Sequence, residues 1–264
     1  MTEITGTTRL YAVLGDPVTQ VRSPALMNPL FARLGIDAVL VPVHATPAHL
    51  EQVVGGLRRA GNVDGIFITV PHKVAVVGLA DRCSPMVAVT GSANALRREA
   101  DGRWYAENFD GSGFVTGLTN AGHDPKGSRV ALVGAGGAGS AIAAALLAAG
   151  AERLSVCDQD TAKLGGLRAR LDAHWPGRTD TSVAPHLDGA DLVVNATPLG
   201  LNPDDPLPFR PELLPEGCVV ADIIMSPHET RLLRQAAARG HRIHHGIHML
   251  DGQMDSYRAF FGLD

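Results

Sequence analysis

The sequence contains little cysteine, and this limits the classes of protein to which it can belong. Three of the 264 residues are cysteine, at positions 83, 157 and 218, and they are never in C-x-x-C spacing. An odd number of widely separated cysteines argues against a disulfide framework and against a zinc site. Because the first residues also lack the layout of a signal peptide, we expect a reducing compartment and a cytoplasmic location.

Charged and aromatic residues are also few. Asp, Glu, Lys and Arg make up 19% of the chain, Phe, Trp and Tyr make up 5%, and the formal net charge is −4. No stretch gathers Lys and Arg into a stripe with interleaved aromatic side chains, which opposes a nucleic-acid surface and an anionic-membrane surface. We therefore expect a small-molecule substrate, no nucleic-acid partner, no membrane partner, and a monomer or homodimer.

One uncharged segment, residues 131–151, has the length of a membrane-spanning helix. Its first half is rich in glycine and other small residues, so a strand, a tight turn and a helix explain it better. We therefore predict no membrane span there.

Strand and helix patterns alternate along the chain. Apolar and β-branched runs predict strands, and stripes of apolar residues at helical spacing predict the helices between them. The Asp101-Gly102 pair between two strand-like flanks predicts a hairpin. A second alternating series begins at Arg129, so we expect two α/β units in tandem, joined near residues 110–126. In the first unit the predicted strands are 9–15, 38–45 and 65–70, and the predicted helices are 23–34 and 47–60.

The motif GAGGAG lies directly between the strand RVALV and an alanine-rich helix. Glycines there permit a tight turn and let backbone amides approach a pyrophosphate at the start of the helix. Asp158 ends the next strand about twenty residues further on, where a carboxylate can accept hydrogen bonds from ribose hydroxyls and repel a 2′-phosphate. The sequence therefore predicts NAD, with NADP less favoured. The predicted binding residues are Gly134, Gly136, Gly137, Ala138, Gly139 and Asp158.

Two residues are candidates for handling a proton during hydride transfer from an alcohol. Lys73 follows the strand-like stretch ITVP, and Asp110 begins a glycine-rich helix. Both stand at the ends of their elements, where an α/β sheet places its binding crevice. The alternatives are a solvated lysine and an aspartate that only caps a helix.

Four histidines crowd into the stretch HRIHHGIH near the end of the chain. No cysteine or acidic residue accompanies them at a fixed spacing, so we predict no metal site. A fifth, His72, lies next to Lys73 and could relay a proton. Alternation along an extended segment would point its ring away from Lys73, which favours a structural role.

Seven motifs occur in the order and spacing of the shikimate dehydrogenase family: YAVLGDPVTQVRSP, ITVPHK, GSANAL, ENFDGSGF, VGAGGAG, NATPLG and HGIHMLDGQ. The sequence thus resembles that family of shikimate and quinate dehydrogenases over nearly its whole length. The resemblance implies an oxidoreductase of aromatic amino acid biosynthesis that transfers a hydride between NAD and a ring hydroxyl of a cyclic hydroxy acid. It also implies a substrate domain formed by residues 1–110 and 245–264, a Rossmann NAD-binding domain formed by residues 111–244, and a last helix that returns to the first lobe.

The resemblance also implies roles for individual residues. Lys73 and Asp110 would be the proton-handling pair, and Asn94 and Gln253 would hold the ring hydroxyls. Ser23 and Thr69 would also face the substrate. The residues implied to lie near the nicotinamide are Asn195, Thr197, Pro198, Ile223, Gly246 and Met249.

Three positions depart from the family pattern by losing a hydroxyl: Val21, Phe109 and Met225. The first and third normally contact the substrate carboxylate, so we expect altered recognition of that end and weak binding of shikimate. Each hydrogen bond lost to a charged group costs about 1–3 kcal/mol. Phe109 would add bulk beside the reactive centre. Arg22 could offer a replacement charge or be a solvated side chain.

Two alternatives stay open. A ligand-binding or regulatory protein of the same fold with weak or no turnover would explain the lost hydroxyls. A folate-type dehydrogenase of similar two-lobed build is opposed by the presence of Asn94 and Gln253.

Overall fold

The computed structural model describes residues 3–263, and within this range the chain forms two compact units. The first contains the residues up to Phe109 together with those from Met254 onward, and the second is Asp110–Gln253. Residues 1, 2 and 264 of the predicted substrate domain lie outside the described residues. The second unit thus includes residues 245–253, which the predicted domain boundaries place with the first lobe. The function of each unit stays a prediction.

The first unit is built on a six-stranded sheet in the order β2-β1-β3-β5-β6-β4. β1 is parallel to β2 and β3, whereas β5 is antiparallel to both β3 and β6. The β5–β6 pair is the predicted hairpin, but the antiparallel β3–β5 pair and the short β4 do not follow from the sequence pattern. The strands are β1 (Arg9–Gly15), β2 (Ala38–His44), β3 (Val63–Ile68), β4 (Arg82–Cys83), β5 (Ala95–Arg98) and β6 (Trp104–Glu107).

The helices of the first unit start and end where local sequence directs them. The first begins at Ser23-Pro24 and ends before Gly35, whose φ of 68° is the left-handed conformation of a helix C-cap. The predicted helix over residues 47–60 begins as a 3₁₀ turn over Pro47–His49. The helices are α1 (Ser23–Leu34), α2 (Leu50–Arg59) and α3 (Pro85–Thr90), with a second 3₁₀ turn at Ala75–Leu79.

The second unit is a six-stranded parallel sheet in the order β12-β11-β10-β7-β8-β9. The strand order reverses at β7 and β10, which is the doubly wound arrangement of a Rossmann domain. The predicted α/β fold class is confirmed. Its elements are α4 (Asp110–Asn120), β7 (Arg129–Val133), α5 (Gly137–Ala148), β8 (Arg153–Cys157), α6 (Thr161–Asp172), β9 (Thr179–Ser182), β10 (Leu192–Asn195), a 3₁₀ turn (Pro211–Leu213), β11 (Val219–Asp222), α7 (Arg231–Ala237), β12 (Arg242–His244) and α8 (Ile247–Asp251).

The uncharged segment at residues 131–151 folds as predicted into most of β7, a tight turn and α5. No helix among residues 3–263 is long and apolar enough to cross a membrane.

The last helix, α9 (Met254–Phe261), packs on the sheet of the first unit, as predicted. Its aromatic side chains join those of β1, α1 and β3: the ring centroids of Phe67 and Tyr257 are 4.6 Å apart, and those of Tyr11 and Phe261 are 5.2 Å apart. The opposite face of the sheet buries a separate apolar layer that includes Leu50, Ile66 and Trp104. The end of the chain is therefore held by aromatic packing.

Candidate functional site

The stretch ITVPHK places Lys73 in a turn directly after β3. Lys73 is half-buried, and its carbonyl oxygen accepts a hydrogen bond of 2.8 Å from the N–H of Ala93. The ring of His72 is buried, and its Nε2–H donates to the carbonyl oxygen of Ala45 at 2.6 Å. His72 therefore holds the turn to a neighbouring loop, whereas Lys73 is tied to the segment that carries Asn94.

Asn94 is buried, and its side chain joins two loops of the first unit. Its Oδ1 accepts a hydrogen bond of 2.9 Å from the N–H of Phe109. Beside it, Nδ2 of Asn108 donates to the carbonyl oxygen and the hydroxyl of Ser92, at 3.0 and 2.9 Å. The loop that ends immediately before Asp110 is therefore fixed to the loop that carries Asn94.

Asp110 is the first residue of α4 and is 2% exposed. Nε2 of Gln253 donates to its Oδ1 at 3.4 Å, so the two predicted site residues are in contact within the second unit. Glycines on α4 permit this arrangement. A Cβ on Gly113 would lie 2.5 Å from the carbonyl oxygen of Met249, and one on Gly117 would lie 2.5 Å from that of His248. Only glycine lets α8 pack closely enough to place Gln253 beside Asp110.

Ser23 and Thr69, also predicted to face the substrate, lie at the start of α1 and directly after β3. Ser23 is buried at the start of α1. Thr69 is half-buried, and its N–H donates to the carbonyl oxygen of Leu14 at 2.9 Å. Their roles toward a substrate stay predictions.

The three residues expected to depart from the family pattern, Val21, Phe109 and Met225, have different surroundings. The ring of Phe109 packs against Tyr257 and Phe260, with centroids 5.2 and 5.3 Å away, so it joins the aromatic cluster of the first unit. Its expected place beside the reactive centre stays a prediction. Val21 is half-buried against the same cluster. Met225 is half-buried after β11, and Arg22 is exposed at the N-cap of α1.

The glycine-rich turn after β7 has the shape that a dinucleotide requires. Gly134 has a φ of 111°, and a Cβ there would lie 2.7 Å from the carbonyl oxygen of Ala196. A Cβ on Gly139 would overlap the carbonyl oxygen of Gly134. By contrast, a Cβ on Gly136 would meet no atom within 4 Å, and Gly136 is the N-cap of α5 with no side-chain cap. One side of the turn packs tightly against the protein backbone. The other side, at the N-terminus of α5, is open, and a pyrophosphate fits there. Gly137 and Ala138 form the first turn of that helix.

Asp158 follows β8, but its carboxylate is used within the chain. Oδ2 accepts a hydrogen bond of 2.7 Å from the N–H of Ala135, and Oδ1 accepts one of 2.9 Å from the N–H of Asp160. Asp160 in turn caps α6 by accepting from the N–H groups of Ala162 and Lys163 at 3.0 and 3.1 Å. Asp158 thus braces the glycine-rich turn.

Asn195 is fully buried at the end of β10, and all four of its side-chain hydrogen bonds are internal. Nδ2 donates to Leu199 O and to Oδ1 of Asp222, both at 3.1 Å, and Oδ1 accepts from the N–H and the hydroxyl of Thr197. The side chain therefore shapes the turn that carries Thr197 and Pro198. We expected Asn195 to lie near the nicotinamide, and this position of the backbone is compatible with that, but its amide is committed to the turn.

Asp222 is not among the residues predicted from the sequence. The pattern that could have indicated it is an acidic residue at the end of the apolar strand VVAD. It is fully buried and accepts hydrogen bonds from Ile224 N–H at 3.0 Å, the Thr230 hydroxyl at 2.8 Å and Asn195 Nδ2. Burial raises the pKa of its carboxyl to about 6. The next residue, Ile223, lies against Gly246, because a Cβ on Gly246 would be 2.5 Å from the carbonyl carbon of Ile223.

The histidines near the end of the second unit form a cluster of rings. His244 is buried, and its ring centroid is 4.9 Å from that of His248 and 6.3 Å from that of His123. Burial, followed by the neighbouring histidines, lowers the pKa of His244 to about 4. Within residues 3–263 no group of three or more His, Cys, Asp or Glu side chains could hold a metal ion.

Two family models match the chain. The shikimate dehydrogenase substrate binding domain matches residues 13–96, and the ThiF family matches residues 123–169, which include β7, α5 and β8. The Shikimate dehydrogenase (NADP(+)) of Rubrobacter xylanophilus is 41% identical over 268 residues, which cover 99% of this chain and 93% of that protein. The chain belongs to the shikimate dehydrogenase family.

Solved structures agree with this family assignment. The shikimate dehydrogenase of Aquifex aeolicus is 29% identical with a TM-score of 0.87, over 98% of this chain and 95% of that one. The ligand-free 5-ketofructose reductase of Gluconobacter sp. strain CHM43 is 28% identical with a TM-score of 0.79, over 94% and 91% of the two chains.

The predicted preference for NAD is wrong. The Rubrobacter relative and further relatives at 35% identity are named as NADP(+) enzymes. The prediction rested on Asp158 repelling a 2′-phosphate and binding a ribose. In the structure both oxygens of that carboxylate accept backbone N–H groups, so its position after β8 is explained without a ribose.

Proposed function

We propose that this member of the shikimate dehydrogenase family is an NADP-linked oxidoreductase that acts on a ring hydroxyl of a shikimate- or quinate-like cyclic hydroxy acid. The observation that supports it best is that hydrogen bonds hold the predicted polar site residues within each unit. Ala93 N–H binds the carbonyl of Lys73, Phe109 N–H binds the amide of the neighbouring Asn94, and Gln253 binds Asp110. These bonds hold Lys73 and Asn94 within the first unit, and Asp110 and Gln253 within the second.

In this proposal the four side chains divide the chemistry. The cofactor, when bound, supplies or accepts the hydride. Lys73 and Asp110 handle the hydroxyl proton, because an amine and a carboxylate can each give or take a proton at a positioned alcohol. The amides of Asn94 and Gln253 orient ring hydroxyls, since an amide offers both donor and acceptor atoms.

The cofactor would be held by the second unit. The open position at Gly136 and the start of α5 suit the pyrophosphate. The backbone at Thr197, Ile223 and Gly246 would border the nicotinamide, with Met249 from α8. We infer these contacts from the family and from the shape of the turn.

Recognition of the carboxylate end of the substrate is, in our proposal, altered. Val21 and Met225 stand where the family has hydroxyls, and Val21 packs against an apolar cluster. A carboxylate with fewer hydrogen-bond partners binds less tightly. The similarity to a 5-ketofructose reductase supports a tolerance for uncharged polyhydroxylated substrates, because 5-ketofructose has no carboxylate.

The test is the absorbance of the reduced nicotinamide with NADP or NAD and a panel of shikimate, quinate and 5-ketofructose. We expect turnover with NADP and a smaller preference for the carboxylates than a family member with all three hydroxyls has. If no substrate is turned over but one binds by calorimetry, the ligand-binding alternative replaces this proposal. A cytoplasmic monomer or homodimer is part of the same proposal, and sedimentation of the purified protein tests its assembly.

A further inference from the structure

Asp222 is a buried acidic residue to which the proposed reaction assigns no role. It ends β11, the strand between β10 and β12, and it is fully buried. Its carboxylate accepts three hydrogen bonds, all from uncharged donors: Ile224 N–H, the Thr230 hydroxyl and the Asn195 amide. Among the described residues no basic side chain forms an ion pair with it.

An unpaired charge in this position costs free energy, because burial removes the carboxylate from water and hydrogen bonds repay only part of that loss. An asparagine could accept hydrogen bonds from Ile224 N–H and the Asn195 amide without that cost. The hydrogen bonds therefore do not explain why this position has a negatively charged residue.

The position of the carboxylate relates it to the cofactor. Asp222 is bonded to Asn195 and is followed by Ile223, which lies against Gly246. Ile223 and Gly246 are two of the positions at which the proposed function places the nicotinamide, and Asn195 holds the turn that carries a third, Thr197. The nicotinamide ring carries a positive charge when it is oxidised and none when it is reduced.

We propose that Asp222 makes this end of the cofactor site favour the oxidised, cationic nicotinamide over the reduced, neutral one. The inference rests on the proposed function. A fixed negative charge in a poorly solvated site lowers the free energy of the cation and has little effect on the neutral ring. Asp222 thus acts through its electric charge on the nicotinamide ring, and it does not touch the substrate.

Few other groups can interfere with this charge. On β12, His244 pairs with Ala221 in parallel register, so its ring lies on the face of the sheet opposite to Asp222. Arg242 pairs with Val219 at the other end of β11 and is exposed. β10 contributes only uncharged side chains, and the two charged side chains of α7, Arg231 and Arg234, are exposed. His228 and Glu229 precede α7 in the loop that follows β11.

The experiment compares the dissociation constants of NADP⁺ and NADPH, measured by calorimetry or by nicotinamide fluorescence without substrate. In Asp222→Asn we expect NADP⁺ to bind about tenfold more weakly relative to NADPH than in the wild type. Thr230→Val, compared with the wild type at pH 8.5, is the matched control, because it removes a hydrogen bond to the carboxylate while the alkaline pH keeps that carboxylate ionised. It should leave the ratio of the two constants unchanged. An equal loss of both affinities in Asp222→Asn would show a purely structural residue and overturn the inference.

A second measurement follows the ratio of the two dissociation constants with pH, in the wild type and in Asp222→Asn. The two cofactor forms carry the same phosphates, so the titration of those groups cancels in the ratio of dissociation constants. In the wild type, protonation of Asp222 should therefore reduce the preference for NADP⁺ as the pH falls below the raised pKa of about 6. The ring of His228 stacks on that of His245, beside Gly246, with centroids 4.5 Å apart, so Asp222→Asn is the control: it keeps both histidines and should lose most of this pH dependence. A wild-type ratio that does not change with pH contradicts the inference while leaving the proposed function intact. Binding of neither form would overturn both.

Discussion

The N–H of Phe109 donates a hydrogen bond of 2.9 Å to Oδ1 of Asn94. This bond joins the residue before Asp110 to an amide that, in the proposed function, orients a ring hydroxyl. The same amide is therefore expected to serve the fold and the substrate, and the two roles can be separated by mutation.

Asn94→Ala should lower both stability and activity. Loss of the acceptor for the Phe109 N–H costs about 1–3 kcal/mol of unfolding free energy. The matched control is Asn108→Ala, which removes a second buried amide that donates two hydrogen bonds to Ser92. We expect similar losses of stability in urea unfolding but a much larger loss of kcat/KM for Asn94→Ala. Equal losses of kcat/KM would mean that Asn94 acts only through the fold.

Lys73→Ala should reduce kcat by about 10²- to 10⁴-fold, because a positioned group that transfers a proton contributes a factor of that size. The control is Lys163→Ala, on the exposed first turn of α6, where the ammonium lies 3.4 Å from Asp160. That change should leave kcat within about twofold of the wild type, since surface ion pairs contribute little. Full turnover in Lys73→Ala would refute the proton-handling assignment.

Gly113→Ala tests how α4 positions the site. A Cβ there would overlap Gln253 Cγ and lie 2.5 Å from the carbonyl oxygen of Met249, so α8 and Gln253 must move away from Asp110. We expect a stability loss of about 1–3 kcal/mol from overpacking, together with a fall in kcat. Gly56→Ala is the control, because a Cβ at this exposed position of α2 meets no atom within 4 Å. It should stabilise the protein by about 0.5–1 kcal/mol in the same unfolding assay. Equal stability of the two variants would contradict the close packing of α4 on α8.

Burial of His244 makes stability depend on pH. Its folded-state pKa is about 4, below its ordinary value of 6.5, so the unfolded chain binds a proton that the folded chain does not. Stability from this residue is therefore present above pH 6.5 and is lost as the pH falls toward 4, by about 3 kcal/mol in all. The free energy of unfolding, measured with urea, should decrease between pH 7.5 and pH 5. This decrease should be about 2 kcal/mol smaller in His244→Phe than in the wild type. His174→Phe, at an exposed position, should behave as the wild type does. A His244→Phe profile parallel to that of the wild type would exclude this residue as the cause.

Elements with local signals could be predicted from the sequence almost to the residue. β1 and α1 have the predicted bounds, because apolar alternation and the Ser-Pro and Gly ends of the helix act within a few residues. β4 and β9 could not be predicted in this way. Their sequences, RC and TDTS, carry no apolar pattern, and they are strands because neighbouring strands in the sheet pair with them.

Prediction of the candidate site is limited for the same reason, because contacts between parts of the chain that are distant in sequence decide it. Spacing in the sequence locates Asp158 and Asn195 at strand ends, but it cannot tell whether a side chain faces a ligand or the backbone of its own turn. Both side chains bind backbone groups of neighbouring turns. The contact between Gln253 and Asp110, which are 143 residues apart, likewise depends on the close packing of α4 against α8.

The lost hydroxyls give the sharpest test of substrate choice. Val21→Ser combined with Met225→Tyr introduces hydroxyls at the two positions that the proposed function assigns to the carboxylate end of the substrate. We expect kcat/KM for shikimate to rise by about tenfold or more relative to that for 5-ketofructose, since hydrogen bonds to a charged group contribute about 1–3 kcal/mol each. Val183→Ser, at a residue that is 51% exposed, is the matched control and should leave this ratio unchanged. Val21→Ser also removes apolar contacts, so thermal unfolding must show that both variants are folded at the assay temperature. If the ratio does not change in the folded double variant, the carboxylate is recognised elsewhere, and the apolar residues at these positions do not determine what the enzyme accepts.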